Sequence, residues 1–354
     1  MVLSKILVVS MILISTFALE KSLPEISTKQ SINNLRYISA DGRFTYYQRR
    51  SGSLLLSTNY DVEEVLKSDV GTQYTVTSSV YRKYNLIEQS NNFHTNLNIR
   101  KLSKIYYSEL GKKNVRFIGN GIDAKLHYKD EWISYYSPFK NKITFNNLKN
   151  PSVNFEIVLQ NKKHPYFVPQ RIMLTDKVIL YTDINNEGKE GIISFDRLNS
   201  KSKLLQKSED EFIRYEFCST REYVYIGSFS RNNKAPYSAI TQYQLKEFNL
   251  GKGSILYDNN KNDIGQMICN KDLTKIYFVK NESKDKEQSR FEAVKLDVNT
   301  KKVEVLTSLK WVNSIVNMDS RLLIPFRGSY YVLEGEHNSQ EKDNLNKKSK
   351  EVKK

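Results

Sequence analysis

The chain has 354 residues, 39% of them hydrophobic and 12% aromatic, which excludes general disorder and leaves room for one large domain or two ordinary ones. Two cysteines exclude a disulfide scaffold, and a formal net charge of +16 points to an anionic partner. Lys, Asn, Ile and Tyr are abundant while Gly and Pro are scarce, so an AT-rich genome accounts for the same charge equally well.

Lys5 precedes an almost wholly apolar run from Ile6 to Leu19, and Thr16-Phe17-Ala18 then leads into the charged Glu20. Charge, apolar run and small-residue site in that order predict a secretory signal peptide over residues 1–18. The run is shorter than the ~20 residues a membrane-spanning helix needs, so no transmembrane span is expected. Export argues against nucleic acid as the partner. Residues 337–354 carry six Lys, three acids and only Leu345 and Val352 as apolar residues, and are expected to be a disordered basic tail. The domain between them is 19–336.

That domain is built on a repeat. A short strand, a tight turn and an aromatic strand recur in YISADGRFTYYQ, SSVYRKYNLIEQ, LHYKDEWISYY, IMLTDKVILYTD, FCSTREYVYIG, ICNKDLTKIYFV and IVNMDSRLLIPF. The turns fall at 41, 83, 130, 176, 221, 272 and 319, a period of 42–51 residues. Each unit but the last continues into two further strands joined by a polar hairpin, as in GIISFDRLNSKSKLLQ. Four strands per ~40–50 residues predict an all-β fold, a single β-propeller of about seven four-stranded blades. The last unit ends at YYVLEGE, and the segment near Ser22 to Ile26 is expected to supply its missing outer strand and close the ring.

The pattern of Ser or Asn, one residue, Asp, then a basic and aromatic strand resembles the TolB-like, PD40 (WD40-like) propeller repeat, most closely in SADGRFTYY and NKDLTKIYF. The resemblance spans roughly residues 36–334 and implies architecture, since propellers host many activities. The separate α/β domain of TolB has no counterpart, and the usual turn proline is replaced throughout.

No G-x-S-x-G is present, the four His stand beside no convincing nucleophile, and no metal or cofactor is expected. Asp41, Asp130, Asp176, Asp272 and Asp319 read as turn-formers bonding their own backbone. Asp183 to Gly191 has the outline of a calcium loop but sits where the repeat places a hairpin. Arg36, Lys125 and Arg171 lie five residues before their turns, with Arg214 two residues earlier than that register. These cations are expected around one channel mouth, where an acidic protein segment or another anionic envelope ligand would bind, unless each is paired with a neighbouring acid. Cys218 and Cys269 occupy matching positions in adjacent units, as a disulfide or as two buried thiols. The expected protein is a monomeric, non-enzymatic binding propeller, periplasmic or secreted; the competing class is an enzyme acting on an anionic glycan or peptide at the channel mouth.

Overall fold

The computed structural model describes residues 35–38, 44–49, 51–58, 61–70, 72–78, 83–91, 102–160, 167–209, 213–219, 223–230, 238–246, 249–259, 263–269, 274–281, 291–309, 316–318, 321–326 and 329–334. The expected signal peptide, closing strand, basic tail and the turn residues Asp41, Asp272 and Asp319 lie outside them. The described residues form strands and no helix.

The first sheet contains β1 (Leu35–Ile38), β2 (Phe44–Gln48), β3 (Leu54–Thr58) and β4 (Val62–Leu66). The second set is β5 (Thr72–Ser78), β6 (Tyr84–Asn91), β7 (Ser103–Glu109) and β8 (Val115–His127). Next come β9 (Trp132–Ser137), β10 (Lys142–Asn147) and β11 (Asn154–Val158), then β12 (Arg171–Met173), β13 (Val178–Ile184), β14 (Glu190–Asp196) and β15 (Lys201–Lys207). The chain continues with β16 (Ile213–Ser219), β17 (Tyr223–Ser230), β18 (Ser238–Lys246) and β19 (Asn249–Asn259). It ends with β20 (Asp263–Cys269), β21 (Lys275–Asn281), β22 (Phe291–Asp297), β23 (Val303–Leu309), β24 (Val316–Met318), β25 (Arg321–Phe326) and β26 (Ser329–Glu334). All pairings are antiparallel and follow chain order within each sheet. Each of the seven turn positions in the sequence falls between the first two strands of a unit.

The described sheets depart from four strands in the three-stranded β24–β26 and at β8. Its first half pairs with β7 (Ser103↔Gly121 to Ser108↔Val115) and its second half with β9 (Ile122↔Tyr136 to His127↔Trp132), so the outer strand of unit two runs on as the inner strand of unit three. The two units therefore share one seven-stranded sheet, β5 to β11. Gly119 and Gly121 sit at the change-over, under the Tyr135 ring, and a Cβ on Gly121 would lie 2.8 Å from the Tyr136 carbonyl oxygen. Gly121→Val should therefore destabilise the fold by about 1–3 kcal/mol, read as a lower urea midpoint, because backbone cannot yield as a side chain can. An unchanged midpoint would show that β8 is free to bend there.

Burial explains the strand order. In unit four, β13 (VILYTDI) is buried along its whole length and β14 nearly so, whereas β15 (KSKLLQK) is largely exposed. Middle strands are covered on both faces by neighbouring sheets, and the outermost strand meets water. β5 alternates buried and exposed residues, the period-two signature of a half-buried strand. The apolar clusters lie between consecutive units. Leu54 and Leu56 meet Tyr74 and Ile87, and Leu86 and Ile105 meet Ile133 and Tyr135. Ile143 and Phe145 meet Met173 and Ile179, Leu180 and Ile192 meet Val224 and Ile226, and Ile240 and Phe229 meet Phe278 and Val294. Each fully buried residue of this size contributes about 1.5–3 kcal/mol.

Candidate functional site

The inner part of β8 carries a bulge. Between the pairs Ile122↔Tyr136 and Lys125↔Ser134, Asp123 and Ala124 stand opposite Tyr135 alone. Asp123 has φ +54°, a left-handed conformation that Asp tolerates better than most residues. Bulges re-aim side chains and release ladder groups. Here the Ala124 N–H, freed from the ladder, donates to Glu88 Oε1 at 2.8 Å from β6 of the neighbouring unit. Burial, with Asp123 beside it, pushes the Glu88 carboxyl above its ordinary range.

Arg171 closes the bulge from β12. Its Nη1 meets Asp123 Oδ2 at 2.9 Å and the Pro169 carbonyl at 3.0 Å, Nε donates to Ser134 Oγ at 2.7 Å, and Nη2 donates to the Asp123 carbonyl. The Arg171 side chain has no exposed surface, so it cannot touch a ligand at a channel mouth; it ties two sheet units together. This corrects the sequence expectation for Arg171. A bidentate guanidinium facing both a carboxylate and a carbonyl is drawn inside wherever those acceptors are fixed.

The other three predicted cations keep partial exposure. Lys125 Nζ bonds Gln170 Oε1 at 2.7 Å and lies 3.6 Å from Asp123 Oδ2. Arg36 donates to Gln48 Oε1 through Nε at 3.2 Å and Nη2 at 2.9 Å. Arg214 lies 3.8 Å from the buried Glu190 carboxylate and donates to the Ile213 carbonyl at 2.8 Å. The acid beside Arg214 is thus Glu190, from β14 of the previous unit.

A serine and a histidine do meet, contrary to the sequence reading. His127 Nε2 and Ser134 Oγ are 2.7 Å apart. The Met173 N–H points at His127 Nδ1, at 3.4 Å, so Nδ1 is an acceptor and Nε2 carries the proton. A general base needs the opposite tautomer, with Nε2 free to take the serine proton. Ser134 also accepts from Arg171, and neither side chain reaches solvent. The pair is structural, in keeping with a satisfied core histidine.

Burial first, then the charges of Arg171 and Lys125, hold the His127 imidazole well below its ordinary pKa. The unfolded chain takes up this proton below about pH 6.5 and the folded chain does not, so stability should fall as pH drops below 6.5, by up to ~1.4 kcal/mol per unit. Glu88 acts in the opposite sense, since a raised carboxyl pKa favours the folded state as pH falls through it. The comparison that isolates the histidine is His127→Gln, which keeps one donor and one acceptor. Equal acid sensitivity in variant and parent would rule His127 out as the cause.

The remaining candidates resolve as structure. In the loop from Asp183 to Gly191, Asp183 accepts the Gln160 and Ile184 N–H groups at 2.7 and 2.9 Å, and Asn185 accepts those of Glu187 and Lys189, making a hairpin turn. Among the described residues no three His, Cys, Asp or Glu side chains gather where a metal could be held. The Asp130 carboxylate reaches beyond its own turn. Its Oδ2 accepts the Lys83 N–H at 3.1 Å from the preceding unit. At Asp176 the turn is held by Thr175 Oγ1, which accepts the Lys177 and Val178 N–H groups at 3.1 and 3.0 Å. Cys218 in β16 and Cys269 in β20 form a disulfide with Cα atoms 6.1 Å apart.

No protein-family model and no curated protein matches the chain. Solved structures do. The β-propeller domain of Myceliophteria thermophila Cps50 (Swd1) aligns at TM-score 0.52 and 12% identity, over 87% of this chain and 98% of that one. The fold is a β-propeller. The propeller also aligns with oligogalacturonate lyase from Vibrio parahaemolyticus, at TM-score 0.52 and 8% identity over 84% and 89% of the two chains. A putative TolB from Agrobacterium tumefaciens matches at TM-score 0.37 and 12% identity over 78% and 80%, too loosely to single out TolB among propellers. The sheets above are thus blades, and their first strands line the axis. Among the described residues no helix is long and apolar enough to cross a membrane.

Proposed function

We propose that this chain is an exported, monomeric β-propeller of about seven blades that binds an anionic envelope partner and catalyses no reaction. The observation that carries the reading is the state of the polar groups on and beside the inner strands. Ser134, His127 and Arg171 are buried and tied to one another across blades, while Arg36, Lys125 and Arg214 keep partly exposed side chains. Arg36 and Lys125 each bond a glutamine, and their partly exposed side chains are within reach of an incoming carboxylate. The apolar run over residues 1–18 supports export. The last described sheet, β24 to β26, has three strands and leaves an edge that the segment near Ser22 to Ile26 would close.

The test is affinity capture from the native envelope with mature protein and with Arg36→Gln/Lys125→Gln. Arg171 and Arg214 are left intact, because Arg171 is itself buried and Arg214 lies beside the buried Glu190 carboxylate. An acidic partner held by the parent and lost by the folded variant supports the reading; equal recovery moves binding away from the channel mouth. A second reading rests on Glu88 and Asp123, two carboxylates brought to one bulge, which an enzyme acting on an anionic glycan or peptide could use as acid and base. Turnover of such a substrate, abolished by Glu88→Gln with the fold kept, would replace the binding reading with the enzyme.

A further inference from the structure

Lysines bridge neighbouring blades onto two kinds of partner. In unit two, Lys113 Nζ lies 2.6 Å from Glu63 Oε1 in the outer strand of the previous blade. In units four to six the lysines that cross from one blade to the next meet neutral oxygens. Lys203 Nζ on β15 donates to the Asn249 side chain at the start of β19, and Lys301 Nζ, in the turn between β22 and β23, donates to the Ile255 carbonyl at 3.0 Å. The contacts are like that of Lys113, a lysine bridging neighbouring blades, but among the described residues Lys203 and Lys301 meet no carboxylate.

These bonds also fix the layout. Lys203 is anchored at Asn249 and Lys301 at Ile255, both on β19, with the exposed Lys252 midway between them. Three residues of antiparallel strand separate each anchor from Lys252, about 10 Å. Lys201 and Lys302, both exposed, extend the row at either end. Of the acids nearby, Asp196 and Asp297 bond their own turns and Glu304 lies 2.9 Å from Lys295, while the exposed Asp258 stands at the far end of β19 from Asn249. Apolar side chains are exposed along the same strands, Leu204 and Ile255 at 57% and Val305 at 48%. Lysine on an edge strand ordinarily keeps edges from pairing, a role that does not call for aliphatic side chains exposed between the lysines.

We propose that the outer strands of units four to six, β15, β19 and β23, form a docking band for an acidic protein segment with apolar side chains interspersed among its carboxylates. The row of cations runs across three strand edges rather than along one, so the segment is read by side chains and does not add as a strand to a single sheet. The interspersed aliphatic surface distinguishes such a segment from a purely charged polymer, which has nothing to cover Leu204, Ile255 or Val305. The band is a different surface from the channel mouth and stands whether or not that mouth binds.

The experiment measures binding of the mature chain to a short synthetic peptide rich in Glu with Leu at intervals, with poly-glutamate, heparin and anionic phospholipid vesicles as competing probes. Lys203→Glu/Lys252→Glu/Lys301→Glu should weaken peptide binding by roughly tenfold or more, and Leu204→Ser/Ile255→Ser by several-fold. Lys112→Glu/Lys140→Glu, exposed lysines of units two and three, should leave it unchanged. Circular dichroism confirms that each variant is folded. Peptide binding that survives the triple reversal, or falls as much with the Lys112/Lys140 control, overturns the band. Loss of heparin or vesicle binding in the triple variant with no peptide binding in the parent overturns the protein partner in favour of a glycan or a lipid surface.

Discussion

Arg171→Met should lower the stability of the folded chain by about 1.5–3 kcal/mol, the cost of losing the charge-assisted hydrogen bonds of a buried guanidinium to acceptors fixed around it. The loss is large because one guanidinium holds four groups from two blades: the Asp123 carboxylate and carbonyl, the Ser134 hydroxyl and the Pro169 carbonyl. Lysine does not substitute, since it offers one point charge where the site is shaped for a fork. Asp123→Asn keeps a residue that tolerates the left-handed conformation at the bulge and removes the charge, and alone it leaves Arg171 buried and uncompensated. The double variant Arg171→Met/Asp123→Asn removes both charges and should recover part of the loss, giving a coupling energy well above the ~0.5 kcal/mol expected of independent sites. Urea unfolding of the four proteins measures the cycle. Additive losses would mean that the two residues are not linked, and a loss under about 1 kcal/mol for Arg171→Met would mean that the pair is open to water.

The same residue shows where sequence reasoning stopped. The turn at each repeat position and the outer hairpins were legible because they depend on local signals, strand alternation and turn-forming residues, that recur every 42–51 residues. The two blades that lack an acid at the turn, at Lys83 and Arg221, were legible too, but not the remedy at the first: the Lys83 N–H is taken by Asp130 of the next blade. Arg171 and Lys125 share a repeat position, yet one is sealed inside and the other reaches water. The difference comes from the bulge at Asp123, which no local pattern announces, because Ile122-Asp123-Ala124-Lys125 reads as plain strand. The run-on of β8 was missed for the same reason. Gly119-Asn120-Gly121 looks like a turn, but in the fold its glycines make room for Tyr135 and the strand continues. His127 and Ser134 are seven residues apart on paired strands, close enough to have been tested as neighbours once the hairpin between them was drawn.

Removing the disulfide should cost up to about 4 kcal/mol, the entropy a cross-link over a loop of this size withholds from the unfolded chain. The loop spans 51 residues and joins the first strands of adjacent blades, β16 and β20. Its surroundings are apolar, with Tyr225, Met267, Ile276 and Phe278 in the same cluster. Cys218→Ala/Cys269→Ala should therefore keep the native packing and act mainly through the unfolded state, so the urea midpoint falls while the slope rises as the freed chain exposes more surface. A reducing agent should reproduce the shift in the parent and have no effect on the variant. Compartment enters as an independent arm. Protein recovered after export should have an intact mass lower by two hydrogens than the same chain retained in a reducing cytosol, where such bonds are rarely kept. Two free thiols in exported protein would mean that the pair serves as packing in the seam between the two blades, and the stability difference should then shrink to that of two small side chains exchanged for alanine.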